Sequence, residues 1–147
     1  MSTLISSEKN HYFLVFNMHL MIAKLFSEMK DVKELEVYQK SLIFCEKIYV
    51  LTKSFPKEEL FGITSQIRRA STSMGANIAE GFDRNSLKEF TRFLYISKGS
   101  ASETEFLLSL SKSLGYLRTL EYKEVNSSLI SIKKMLSKLI KSLRSKL

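Results

Sequence analysis

Tryptophan is absent from this chain, proline and cysteine occur once each, and there are only five glycines among 147 residues. So few breakers leave little to interrupt long helices. The strand signals are missing as well, with no sustained period-two alternation and no Asn-Gly or Asp-Gly hairpin pair. The single cysteine, Cys45, excludes an intramolecular disulfide and cannot by itself build a multi-cysteine zinc site. Flanked by Leu42, Ile43, Phe44 and Ile48, it reads as a small buried hydrophobe rather than a nucleophile. It fits a reducing compartment, and the expected location is the cytoplasm. The two histidines, His11 and His19, both lie near the N-terminus, so the rest of the chain lacks the commonest general base and metal ligand. After residue 30 there is no Glu-x-x-His pair of the kind that builds a di-metal site in a bundle. No glycine-rich phosphate loop and no nucleophile elbow occurs. The expectation is therefore a protein that is not an enzyme and holds no metal or cofactor. Acidic residues are also in short supply, 15 against 23 basic ones, giving a net charge of +8. Such an excess points to an anionic partner, although lysine-rich helices also use charge simply to stay soluble.

What the chain does contain is helical periodicity. Ile63, Ile67, Ala70, Met74 and Ile78 recur every three to four residues, one buried face of a helix predicted from Leu60 or Thr64 to Glu80. Gly81 is read as the stop, because glycine readily takes the left-handed conformation that ends a helix. Asn85 or Ser86 caps the next helix, with Glu89 at the capping-box offset from Ser86. That helix runs from Ser86 to about Leu114, with Phe90, Phe93, Leu94, Ala101, Leu107, Leu108 and Leu114 on its apolar side. The small residues from Ser97 to Ser102 offer a close contact, inside a bundle or between subunits. Upstream, a first helix is predicted from Val32 or Leu35 to Ser54, its inward stripe Val37, Tyr38, Ser41, Leu42, Cys45, Ile48, Tyr49 and Thr52. Pro56 closes it. Downstream, Gly115 caps the third helix, and Tyr116 and Leu117 pack back as a clasp. The fourth helix starts with Thr119 as N-cap and carries Val125, Leu129, Ile132, Leu136, Leu139, Ile140 and Leu143 inward. Four such amphipathic helices on short turns predict an all-α fold, an antiparallel up-down-up-down four-helix bundle over 31–147.

Residues 1–30 form an N-terminal extension. Its apolar run from Tyr12 to Phe26 is interrupted by Asn17, His19 and Lys24, too short and too broken for a membrane span of about 20 apolar residues. It reads as an added amphipathic helix, a loosely attached tail, or translated upstream sequence with Met29 as the true start. No membrane partner is expected.

The cations supply the candidate site. Arg68 and Arg69 form a pair suited to phosphate, or to ion pairs with Glu80, Asp83 or a neighbouring subunit. Arg84, Lys88 and Arg92 recur every four residues on one helical face, and Lys98 continues their character. The last helix adds Lys133, Lys134, Lys138 and Lys141, and the segment 118–147 holds eight basic residues against Glu121 and Glu124. Cations also suit the negative end of a helix dipole, so part of this pattern is structural. Glu103 and Glu105, two apart, do not share a face. Asn77 and Glu80 read as structure-determining polar residues near a helix end. Tyr95, Phe90 and Phe93 have a chemistry that stacks on unpaired bases, but their helical spacing favours core packing.

The segments LEVYQKS, FPKEELFGITSQIRRA, NIAEG, KEFTRFLYISKGSASETE and LGYL, in that order, resemble the four-helix-bundle proteins encoded in intervening sequences of bacterial 23S ribosomal RNA genes. The accessory proteins of diversity-generating retroelements resemble the same family. Where that family often has proline this chain has Gly75, and either residue suits a bend between Met74 and Ala76. The resemblance implies a homo-oligomer, a pentamer, that binds nucleic acid, RNA above all. The alternative it implies is a protein-interaction scaffold, an accessory subunit of a reverse transcriptase.

Overall fold

A computed structural model describes residues 30–145 and 147. The expectations for residues 1–29 lie outside the described residues. Four α-helices follow one another: α1 (Glu36–Leu51), α2 (Ile63–Asp83), α3 (Leu87–Ser113) and α4 (Thr119–Arg144). Short 3₁₀ turns at Val32–Glu34, Thr52–Ser54 and Lys57–Glu59 flank the first of them. No strand occurs among the described residues. Each helix packs on its neighbour in sequence and α1 closes the ring against α4, giving the antiparallel bundle that the short connections require. The α2–α3 contact is the most extensive and the α1–α4 contact the least.

The core is built from the inward stripes. Ile67, Met74 and Ile78 of α2, Phe90, Leu94, Ala101 and Leu108 of α3, and Leu129, Ile132 and Leu136 of α4 are all buried. The first helix corrects the sequence reading. Its buried residues are Val37, Ser41, Phe44 and Ile48, with Thr52 just beyond its end. Leu42 and Tyr49, expected inside, are 53% and 46% exposed, and Tyr38 and Cys45 are only half-buried. The thiol of Cys45 lies 3.4 Å from Thr72 Oγ1 on the α1–α2 seam. Leu114, expected on the inner side of α3, is also exposed.

Gly81 does not end its helix. The helix continues to Asp83, and Gly81 is buried where an added Cβ would lie 2.5 Å from Phe93 Cβ. Glycine here lets α2 and α3 approach closely. Reversal of the chain falls instead to Asn85, at φ 52°, a left-handed value that asparagine tolerates better than most residues. Ser86 then caps α3, accepting a hydrogen bond from the Glu89 amide. The small-residue run lies mainly inside the bundle. Ser97 Oγ donates to the Met74 carbonyl at 2.9 Å and Ser100 Oγ to Ser73 Oγ at 3.1 Å, while Gly99 and Ser102 face out. Helix α2 continues through Gly75 without a break, and Asn77 Nδ2 donates to the Ser73 carbonyl one turn back.

The two glycines make opposite expectations. Gly81→Ala forces Phe93 to shift at its Cβ, near the backbone, and overpacking of this kind costs about 1–3 kcal/mol. Gly99→Ala meets nothing within 4 Å and should stabilise α3 by up to about 1 kcal/mol through helix propensity. Thermal or urea unfolding of the two variants checks both signs.

At the far end, Gly115 has φ 79°, its amide donates to the Lys112 carbonyl, and the Tyr116 amide donates to the Ser111 carbonyl. This pair of bonds is a Schellman ending. Leu117 is buried, and Tyr116 packs on Phe55 and donates to Glu59 Oε1 at 3.1 Å. Partial burial and that carboxylate together raise the Tyr116 phenol above its ordinary pKa. The N-cap of α4 is Arg118, not Thr119. Glu121 accepts both the Arg118 amide and its guanidinium, and these bonds hold its carboxyl below the ordinary pKa. That small contribution to the helix start is present at neutral pH and fades as acid protonates Glu121.

Candidate nucleic-acid interface

Which cations are free to meet an anion is decided by the neighbouring helices. Arg69 reaches from α2 to Glu103 of α3 at 3.1 Å, and Lys133 reaches from α4 to Glu105 at 2.5 Å. Glu103 and Glu105 thus serve opposite neighbours, as their spacing requires. Neither arginine of the 68–69 pair meets Glu80 or Asp83. Arg68 lies over the Tyr49 ring at 4.9 Å and donates through Nε to Thr52 Oγ1 at 2.8 Å, tying α2 to the end of α1. Glu80 is taken by Arg84 at 2.6 Å, one turn on in the same helix and its C-cap. Arg92 pairs with Glu89 at 3.3 Å. Arg84 and Arg92 also stack on Phe93, at 5.4 and 5.0 Å from the ring centre. The exposed pairs among these contribute little stability, about 0–1 kcal/mol each, but all of them neutralise charge that the sequence offered.

The remaining candidates have no carboxylate partner among the described residues. They are Lys88 and Lys98 on α3, and Lys134, Lys138 and Lys141 on α4. The three lysines of α4 fall at spacings of four and three, so they share its outer face. No Asp or Glu occurs between Ile130 and Leu147, so only a carboxylate from another helix could pair with them, as Glu105 does with Lys133.

One place brings the two helices' cations together. Lys98 of α3 and Lys141 and Arg144 of α4 line a cleft of about 430 Å³ with Tyr95 and Ser137. Its size is that of a small-ligand pocket, and it is open to solvent. Arg144 Nη1 donates to Tyr95 Oη at 3.3 Å, which holds the guanidinium at the cleft without neutralising it. Arg144 is counted among the basic residues of the last helix but not among the candidates, and the cleft itself needs the packed bundle. The aromatic expectation divides here as well. Phe90 and Phe93 are core, whereas Tyr95 is 45% exposed. The arrangement offers an anion electrostatic partners from two helices.

None of the described helices is long and apolar enough to cross a membrane. Residues 33–138 match the family model of the 23S rRNA-intervening sequence protein. One similar solved structure is that of a protein of unknown function from the S23 ribosomal protein family of Bacteroides thetaiotaomicron. It shares 36% identity over 71% of this chain and 95% of that one, with a TM-score of 0.67. No curated protein matches. With some seven-tenths of its length matched in one continuous span, the chain belongs to the 23S rRNA-intervening sequence protein family.

Proposed function

We propose that this protein is a non-catalytic nucleic-acid-binding module, directed to RNA, that works as a homo-oligomer in the cytoplasm. The observation that supports this is the acid-free second half of α4, where Lys134, Lys138 and Lys141 stand without partners among the described residues and continue through the cleft to Lys98. The mechanism is phosphate attraction with release of counterions, and no motif for reading base edges accompanies it. Assembly multiplies a weak site, since each added copy binds at the high local concentration set by the first. The family resemblance makes a pentamer the expected ring.

A second reading has its own support. Phe61 is 91% exposed, Leu120 79% and Leu114 50%, each at or beside a helix end that the antiparallel order sets away from Arg144. Apolar surface of this kind suits a protein partner, and an accessory subunit of a reverse transcriptase fits it. Purification of the tagged chain at controlled salt, with light scattering on the eluate and sequencing of what it carries, tests both. RNA on an assembly several times 17.0 kDa is the expected result. A nucleic-acid-free monomer across a wide concentration range would contradict the first reading, and a bound protein without nucleic acid would favour the second.

A further inference from the structure

We infer that Tyr95 is a base-stacking platform and that the α3–α4 cleft therefore selects unpaired nucleotides over duplex, an inference that rests on the proposed nucleic-acid binding. Several aromatic rings of the bundle already have a cation over them. Tyr49 lies beneath Arg68, Tyr122 beneath Lys112, and Phe93 beneath Arg84 and Arg92. No ring or cation among the described residues stacks on Tyr95, whose single polar contact is the bond its hydroxyl accepts from Arg144. The ring is thus held at its edge by the guanidinium and lines a cleft whose other walls carry Lys98, Lys141 and Ser137.

A nucleotide presents a phosphate and a flat base, and this cleft offers partners for each. The three cations meet the phosphate, the Ser137 hydroxyl, which makes no hydrogen bond among the described residues, can donate to a phosphate oxygen, and the ring meets the base. A duplex can satisfy the cations and Ser137 but not the ring, because its bases remain stacked on one another. Stacking tolerates every base, so the preference is for single strands and not for a sequence.

The chain has no tryptophan, so Tyr95→Trp places a sole indole in the cleft of the otherwise intact full-length protein. Its fluorescence should be quenched by a single-stranded oligouridylate and left unchanged by a duplex RNA of equal length or by inorganic phosphate. In anisotropy titrations Tyr95→Ala should weaken single-strand binding by about tenfold or more and leave duplex binding unmoved. Tyr95→Phe, which keeps the ring and removes the bond to Arg144, should keep the preference for single strands over duplex and bind them more tightly than Tyr95→Ala. Equal binding of both RNA forms with Tyr95→Ala silent would overturn the platform and leave the nucleic-acid reading standing. Tyr95→Phe as weak as Tyr95→Ala would overturn it too, assigning the effect to the hydroxyl that holds Arg144. A parent protein that binds neither form would overturn both.

Discussion

Reversing Lys134, Lys138 and Lys141 together to glutamate is expected to weaken RNA binding on the order of a hundredfold at low salt, and to do so alike for all sequences. These three lysines have no acidic partner to release, so each reversal leaves a phosphate unneutralised and adds a repulsion. The dependence of log K on log salt should flatten by roughly one for each phosphate no longer neutralised. The same change at Arg84, Lys88 and Arg92 should do less to binding. Two of those three already hold Glu80 and Glu89 and flank Phe93, so reversal there places like charges together and uncovers an aromatic ring. Anisotropy titrations across a salt series, with the oligomer checked by light scattering, separate the two sets. Unchanged affinity in both variants with assembly intact would assign the lysines to solubility and bring the scaffold reading forward.

The largest loss of stability is expected at Leu136 and Leu108. Both are fully buried and pack from adjacent helices into one core cluster. Truncating either to alanine removes buried methyl groups and leaves a cavity that the surrounding helices fill only in part. The expected cost is about 2–5 kcal/mol, read as a shift of the urea midpoint at unchanged slope. Leu42→Ala, on a residue 53% exposed, should cost far less, although the sequence pattern ranked the positions alike. If Leu42→Ala proved as costly as Leu136→Ala, the placement of the α1 stripe would be wrong.

That contrast shows what periodicity does and does not encode. Where a helix alternates apolar and polar residues, as α2 and α4 do, the spacing set both the helix and the buried face. All seven residues expected to face inward on α4 are buried or half-buried. In α1 the apolar residues run almost all round, from Leu42, Ile43 and Phe44 to Tyr49, Val50 and Leu51. The period then shows a helix but not its phase, and Phe44 was missed while Leu42 and Tyr49 were placed inside. Gly81 misled for a related reason. Glycine serves both as a helix stop and as a gap for a close neighbour, and only the position of Phe93 distinguishes the two. The end at Gly115 was legible because the apolar pattern itself stopped there.

The candidate site was legible as a composition and not as a geometry. All ten cations were visible, but whether a cation is free depends on carboxylates brought from other elements. Arg69 meets a carboxylate 34 residues away and Lys133 one 28 residues away. Lone lysines and paired ones look the same along the chain. The meeting of Lys98 with Lys141 and Arg144 follows from the antiparallel register of α3 and α4, which needs the packed bundle. Conversely, the absence of acid after Glu124 is a sequence fact, and it leaves the cations beyond it with no partner on their own segment.

Binding of single-stranded RNA by the full chain, followed from about 50 to 200 mM salt, bears most directly on whether the unpaired cations do the work. With Lys98, Lys134, Lys138, Lys141 and Arg144 meeting phosphates at about −0.7 each, log K should fall linearly with log salt at a slope between about −2 and −4 per protomer engaged. A slope near zero, or no binding at the lowest salt, would contradict it.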